Sequence, residues 1–361
     1  MATLSRLLIY PLLFFFFLGQ LGRLNWGPFS FPVLDICIVA FSLTNFLTQR
    51  QTVKPNKFLL VFLLIAVISN LIHLPGYPLP PLQSWFYLLR LLSLTLLIIY
   101  PPKLTSTQNR FLEIALFSSL LFGFIQYTLW PDFTAFLAFN WDPHLYRLVG
   151  TFFDPTFTGL IFLMFLIKIY FSKKILLFTD YCLLITIYIG LALTYNRTSL
   201  LCFLAAFTFI AVRKKTKKIF IIALSCVILT IIILPRAPGE GTKLERTSSI
   251  FAKIKNYQEG ISLFTTSPIT GVGYNNLPYI RLNPTSHANS GFDGSLLTIA
   301  ITTGIFGLIF LCLGLRLEFI HGSLLYQTLL LILLLHSLFS NSLFYPWITL
   351  LLALTKLKNR K

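Results

Sequence analysis

Apolar residues fall along this chain in long unbroken runs, separated by short basic, Pro-containing or polar stretches. Twelve such runs stand out, over about 7–22, 29–48, 58–74, 82–100, 111–130, 155–171, 176–194, 198–212, 219–235, 294–315, 320–337 and 343–357. A helix needs about twenty apolar residues to cross the hydrocarbon core of a bilayer, and most of these runs approach that length. The pattern predicts an all-α fold: a polytopic transmembrane helix bundle of about twelve spans, with residues 1–361 forming a single integral membrane domain. Three connections differ from the rest. Residues 131–154 are polar and aromatic, 195–198 form a very short turn, and 236–293 make one large loop between the ninth and tenth spans. A loop that long inside a compact fold is usually functional. Within it, residues 249–266 alternate apolar and polar positions at helical spacing, which predicts an amphipathic helix lying on a membrane surface. Pro268 ends that helix and Gly271-Val-Gly273 follows as a turn.

Composition agrees. Of the 361 residues, 56% are hydrophobic and 11% charged, and 37 are phenylalanine, whereas a soluble domain carries about a quarter charged residues. A net charge of +18 would in a soluble protein suggest nucleic acid. Here the basic residues sit in small clusters between apolar runs, which is a topology signal, and no nucleic-acid partner is expected. Alternate assignment places Arg6, Arg50, Lys54, Lys57, Lys103, Arg110, Lys173, Lys174, Arg213 to Lys218, Arg316 and the basic C-terminus on one side. By the positive-inside rule that side is the cytoplasm, and both termini lie there; a hairpin within 320–357 is where the alternation is open to a different solution. The cysteines, Cys37, Cys182, Cys202, Cys226 and Cys312, all lie in apolar runs without C-x-x-C pairing, which argues against a disulfide framework or a zinc site. No small-residue cleavage site follows the first run, which reads as a retained helix.

Once the cytoplasmic cations are assigned to topology, Arg147 and Arg197 remain on the external face, against the charge bias. A cation near the bilayer needs an anion or a carbonyl, and a guanidinium suits bidentate phosphate. Each could instead snorkel to a headgroup or pair with a nearby Asp. Arg90 is the ionisable group seen inside a span, and Arg6 and Arg23 read as interface anchors. His287, in the large loop, could take a proton from a hydroxyl; a loop histidine is more often inert, and His144 shares that reading. His73, His321 and His336 read as packing or interface residues. Asp293, at the mouth of a span, could act as a base, pair with Arg147 or Arg197, or cap the helix that follows; Asp154 before Pro155 reads as a cap. No carboxylate cluster suggests a metal, and no cofactor is expected.

In order along the chain stand Arg147-Leu-Val-Gly-Thr-Phe-Phe-Asp-Pro155, then Thr194-Tyr-Asn-Arg197-Thr-Ser, and Ser267-Pro-Ile-Thr-Gly271-Val-Gly273 after the amphipathic helix. The His/Asp loop follows, with Leu296-Leu297 and Gly304-Ile-Phe-Gly307, and last comes Asn341-Ser-Leu-Phe-Tyr-Pro346. In this order the chain resembles the O-antigen ligase and O-antigen polymerase superfamily of bacterial membrane glycan transferases, over about Arg147 to Trp347. The resemblance implies a multi-pass protein of the bacterial cytoplasmic (inner) membrane. It implies an undecaprenyl-diphosphate-linked oligosaccharide as donor and a glycan or lipid hydroxyl as acceptor, serving lipopolysaccharide or other polysaccharide biosynthesis at the cell envelope. Mapped here, Arg147 and Arg197 bind the diphosphate, and His287 or Asp293 is the catalytic base. Ligases usually carry His-Asn at a fixed distance before the glycine matching Gly304; here that place is Asp293-Gly294, and His287 lies six residues upstream. Ligase and polymerase both stay open, as does the oligomeric state. The competing classes are a polysaccharide or lipid transporter (a flippase), which would place ionisable groups at mid-membrane, and a non-catalytic scaffold.

Overall fold

The computed structural model describes residues 2–26, 29–73, 82–139, 141–172, 177–281 and 291–356. It is all-helical apart from one small hairpin. The helices are α1 (Ala2–Leu18), α2 (Val33–Gln49), α3 (Lys57–His73), α4 (Leu82–Ile99), α5 (Ser106–Leu129), α6 (Pro155–Ser172) and α7 (Phe178–Leu193). They continue as α8 (Arg197–Lys214), α9 (Lys217–Ile233), α10 (Ser248–Thr266), α11 (Leu277–Ile280), α12 (Ser295–His321), α13 (Leu324–His336) and α14 (Pro346–Thr355). All but α10 and α11 coincide with the apolar runs. Those over Leu4–Gly22, Ser106–Leu129, Pro155–Ser172 and Ser295–His321 are long and apolar enough to cross a membrane by length and composition.

The hub is α6. Every side chain from Thr158 to Ile169 is buried, as are all ten residues of α14. A helix that is apolar all round belongs in the middle of a bundle. Other helices turn exposed apolar faces outward, such as Ile221, Ile222, Ile232 and Ile233 of α9, as lipid-facing helices do. Connections alternate between two ends of the bundle. Among the described residues, the basic end carries the short turns 50–56, 100–105, 215–216 and 322–323; the loop-rich end carries 19–26, 29–32, 130–139, 141–154, 194–196, 234–281, 291–294 and 337–345.

Several boundaries differ from the sequence reading. Helix α12 runs on to His321, so Arg316 sits within it and not in a turn, and α13 starts only at Leu324. Helices α13 and α14 have 13 and 10 residues, short of the roughly twenty a perpendicular span needs; burial against α6 stabilises them in place of lipid-facing length. Arg23 is no plain anchor. It holds the hairpin Arg23–Trp26/Phe29–Pro32 together, donating to Ser30 Oγ (3.0 Å), Ser30 O (2.7 Å) and Gln20 Oε1 (2.7 Å). Nor is Arg90 the one ionisable group inside the bundle. It pairs with Asp35 of α2, Lys168 of α6 pairs with Glu113 of α5 at 2.5 Å, and Glu318 of α12 pairs with Lys356. Asp35 and Glu113 lie inside apolar runs whose length masks them, and Glu318 falls in the short gap read as a turn. Removing Lys356 leaves the buried Glu318 carboxylate unpaired, a loss of about 3–5 kcal/mol for a fully buried charge.

The long helix α12 is broken at Gly304, whose φ of +71° and ψ of −177° interrupt the helical ladder. The freed backbone groups are satisfied by residues 268–273, which run into the break. Ile305 N–H donates to Pro268 O (2.8 Å), Val272 N–H to Ile301 O (2.9 Å) and Gly273 N–H to Thr302 O (3.1 Å). Ser69 of α3 lies beside the same junction, donating to Thr270 O (2.6 Å) and Thr302 O (2.7 Å). Irregular backbone is tolerated inside such a bundle only where protein groups satisfy it. The Gly271-Val-Gly273 turn is therefore the insert that fills the break.

Candidate functional site at the loop-rich end

The segment Arg147–Asp154 is pinned from four directions. Gln126 of α5 accepts from Val149 N–H (2.9 Å) and donates to Arg147 O (3.4 Å). Leu148 N–H donates to Leu193 O (2.9 Å) and Thr158 of α6 to Val149 O (2.6 Å). Gly19 lies so close that a Cβ there would stand 2.3 Å from Thr151 O. Tyr146 just before the segment, Phe153 within it and Tyr195 in the α7–α8 turn all have positive φ, 52°, 58° and 52°. Such backbone in bulky residues costs about 1–3 kcal/mol each and persists only where the surroundings hold it. Asp154 caps α6, its Oδ1 accepting from Thr156 N–H (2.6 Å), as its position before Pro155 suggests.

Arg147 is 8% exposed, and its Nε donates to Thr194 O (2.9 Å). Its two terminal nitrogens bond no described residue and neither is fully buried. Gly241 closes over the stem; a Cβ there would be 2.9 Å from Arg147 Cδ. Burial pushes the Arg147 pKa down to about 9, helped by the guanidiniums of Arg246 and Arg197 and opposed by Asp154. The group stays cationic at neutral pH, with an unmet demand for an anion.

Arg197 lies within electrostatic reach of Arg147 but is differently employed. Its guanidinium donates to Leu244 O (3.1 Å), Arg246 O (2.6 Å) and Ser249 Oγ (2.7 Å), fastening the loop ahead of α10. Asn196 caps α8, its Oδ1 accepting from Thr198 N–H (2.9 Å), and so fixes where Arg197 starts.

Arg246 was missed by the sequence reading. It donates through one nitrogen to Gly241 O (2.5 Å) and Lys243 O (3.1 Å); its other nitrogens bond no described residue. Burial and Arg197 lower its pKa, and Glu240 raises it. The signal was available: Arg236, Lys243 and Arg246 all sit in the large loop, against the charge bias that exposed Arg147 and Arg197.

Asp293 does not pair with either arginine. Its carboxylate meets Lys253 of α10 at 3.2 Å and its N–H donates to Asn256 Oδ1 (2.6 Å). It does not cap α12, whose N-cap is Gly294. It links α10 to α12, and Tyr257, one turn on, bonds Leu338 O. Lys253 and Asp154 both lie within electrostatic reach of His336, whose Nδ1 is 2.6 Å from Ser342 Oγ. The structure thus brings Arg147, Arg197 and Arg246 into one cationic group, with Asp293 beyond it on the α10–α12 side. His287 lies outside the described residues. Among the described residues no cluster of His, Cys, Asp or Glu could hold a metal.

A bundle of apolar helices with charged loops gathered at one end defines an integral membrane protein. Residues 182–312, from α7 into α12, match the family model described as O-Antigen ligase, and the match supports the O-antigen ligase and polymerase superfamily for this chain. That stretch contains Arg197, Arg246 and Asp293; Arg147 precedes it. No curated protein matches the chain.

Proposed function

We propose that this protein is a membrane glycosyltransferase that moves an oligosaccharide from a polyprenyl-diphosphate carrier to an acceptor hydroxyl on the external face of the cytoplasmic membrane. The observation that carries this reading is the convergence of three guanidiniums, two with uncommitted nitrogens, where the carboxylate bearing on Arg147 is that of Asp154. A diphosphate supplies the missing negative charge in bidentate geometry. Arg147 and Arg246 grip it, and Arg197 grips from behind by holding the loop that carries Arg246. The acceptor oxygen then attacks the anomeric carbon from the opposite face. The bond from that carbon to the diphosphate oxygen breaks, the electron pair leaves with the polyprenyl diphosphate, and the sugar inverts. The hydroxyl proton passes to a base, either His287 or Asp293. Charge accumulating on the leaving diphosphate is what the arginines stabilise, which places their effect in the transition state.

The test is reconstitution of the purified chain in lipid with a polyprenyl-diphosphate oligosaccharide and a glycan acceptor. Wild-type protein transfers the oligosaccharide, and Arg147→Ala lowers the rate by about 100-fold or more. Unchanged transfer by Arg147→Ala or by Arg197→Ala removes the proposed site. Parallel His287→Ala and Asp293→Ala variants separate the two candidate bases.

A further inference from the structure

At the opposite, basic end of the bundle a cavity of about 260 Å³ opens between α1, α2, the α4–α5 turn and the start of α5. Arg6 and Lys103 line it, and no acidic side chain does. Among the described residues, neither the Arg6 guanidinium nor the Lys103 ammonium bonds an acceptor. The remaining walls are set in place. Gln49 Nε2 donates to Asn45 Oδ1 (2.7 Å) and to Pro101 O (3.1 Å), Asn45 Nδ2 donates to Tyr100 O, and Gln108 Nε2 donates to Arg6 O (3.0 Å). Below these polar groups the lining turns apolar at Ile9 and Phe41, both buried in the core. The cavity is therefore amphipathic: cationic at the rim, amide-walled, and apolar toward the bundle.

We propose that this cavity binds an anionic phosphate ester, in the manner of basic clefts between helices that take lipid headgroups at the membrane surface. Arg6 and Lys103 neutralise the phosphate, and the fixed amides receive its polar substituents. Basic residues serving topology need only face the right compartment; nothing in that role gathers two unpaired cations around a cavity with hydrogen-bonded walls. The site joins α1, α2 and α5, so occupancy stabilises the folded bundle by mass action.

The experiment follows thermal unfolding of the detergent-purified full chain during titration with dihexanoyl phosphatidylglycerol and, separately, with inorganic phosphate. The expected result is a saturable rise in the unfolding midpoint with the short-chain lipid. The double variant Arg6→Gln/Lys103→Gln, both exposed positions, weakens the apparent affinity about tenfold or more. Lys217→Gln/Lys218→Gln, which removes two charges from the same end away from the cavity, responds as wild type. A rise with inorganic phosphate as well marks free phosphate as a ligand, and a rise with the lipid alone marks a headgroup. A response of Arg6→Gln/Lys103→Gln equal to wild type, or no saturable response to either probe, overturns the proposal. Arg147→Ala keeps the response, which separates this site from the transferase reading.

Discussion

His144 lies three residues before Arg147, and its Nε2 is buried without a hydrogen-bond partner. Burial pushes its pKa down to about 4; Asp154 pulls it up and Arg147 pushes it down. The ordinary value for histidine is about 6.5. Between the two values the unfolded chain binds more protons than the folded one, so stability is intact above about pH 6.5 and falls as pH drops toward 4. The expected outcome is a steeper loss of thermal midpoint from pH 7 to pH 4.5 in wild type than in His144→Gln. Parallel curves would show that the imidazole is not buried against protonation. Arg147 and Arg197 stood out in the sequence because each lies in a connection that alternation assigns opposite to the basic turns. Arg197's partners were not readable, because they are backbone carbonyls, Leu244 O and Arg246 O, some 47 and 49 residues away. Arg246 was hidden by neighbours of like charge in a loop read for its helix.

At the scale of elements, the twelve apolar runs and the amphipathic segment were legible because each is a local pattern. Helix α10 bears exposed Ile250, Phe251, Ile254 and Ile261, while Gly260 packs against Leu297, Ile301 and Phe292. One apolar side thus meets α12, and another stays available to lipid. The break in α12 was not legible, since Gly304 stands in a run of unbroken hydropathy and the segment that fills it, 268–273, lies about thirty residues earlier. The consequence is a strong constraint. A Cβ at Gly304 would stand 1.9 Å from Ile269 O, on a backbone with φ of +71°. Gly304→Ala must either straighten α12 and expel residues 268–273 or fail to fold, a loss of about 3 kcal/mol or more. The expected result is a large drop in the unfolding midpoint, with new protease cuts between 267 and 276. A variant that kept wild-type stability would show that the break is not required.

Over the whole molecule, charge is divided into three populations with different physical roles. Carboxylates on bundle helices, the buried Glu318 and the part-buried Asp35 and Glu113, are each paired with a cation on a neighbouring element. A transporter's mid-membrane groups would have to change partners during a cycle, and these pairs tie helices together. The basic turns at one end form the second population, and the arginine group at the other end the third. The transferase reading requires that the third face away from the cytoplasm, where a lipid-linked donor is presented, so the fold's orientation is itself a test. In a cysteine-free background, with Cys37, Cys182, Cys202, Cys226 and Cys312 replaced, single cysteines are placed at Lys218→Cys in the basic end and Glu245→Cys in the loop-rich end. Both positions are exposed. A membrane-impermeant maleimide added to spheroplasts is expected to label Glu245→Cys at once and Lys218→Cys only after lysis, as the excess of Lys and Arg at the basic end requires. The reverse pattern would put the arginine group in the cytoplasm, out of reach of a donor presented on the external face, and would end the proposed reaction whatever the residues of the site can bind.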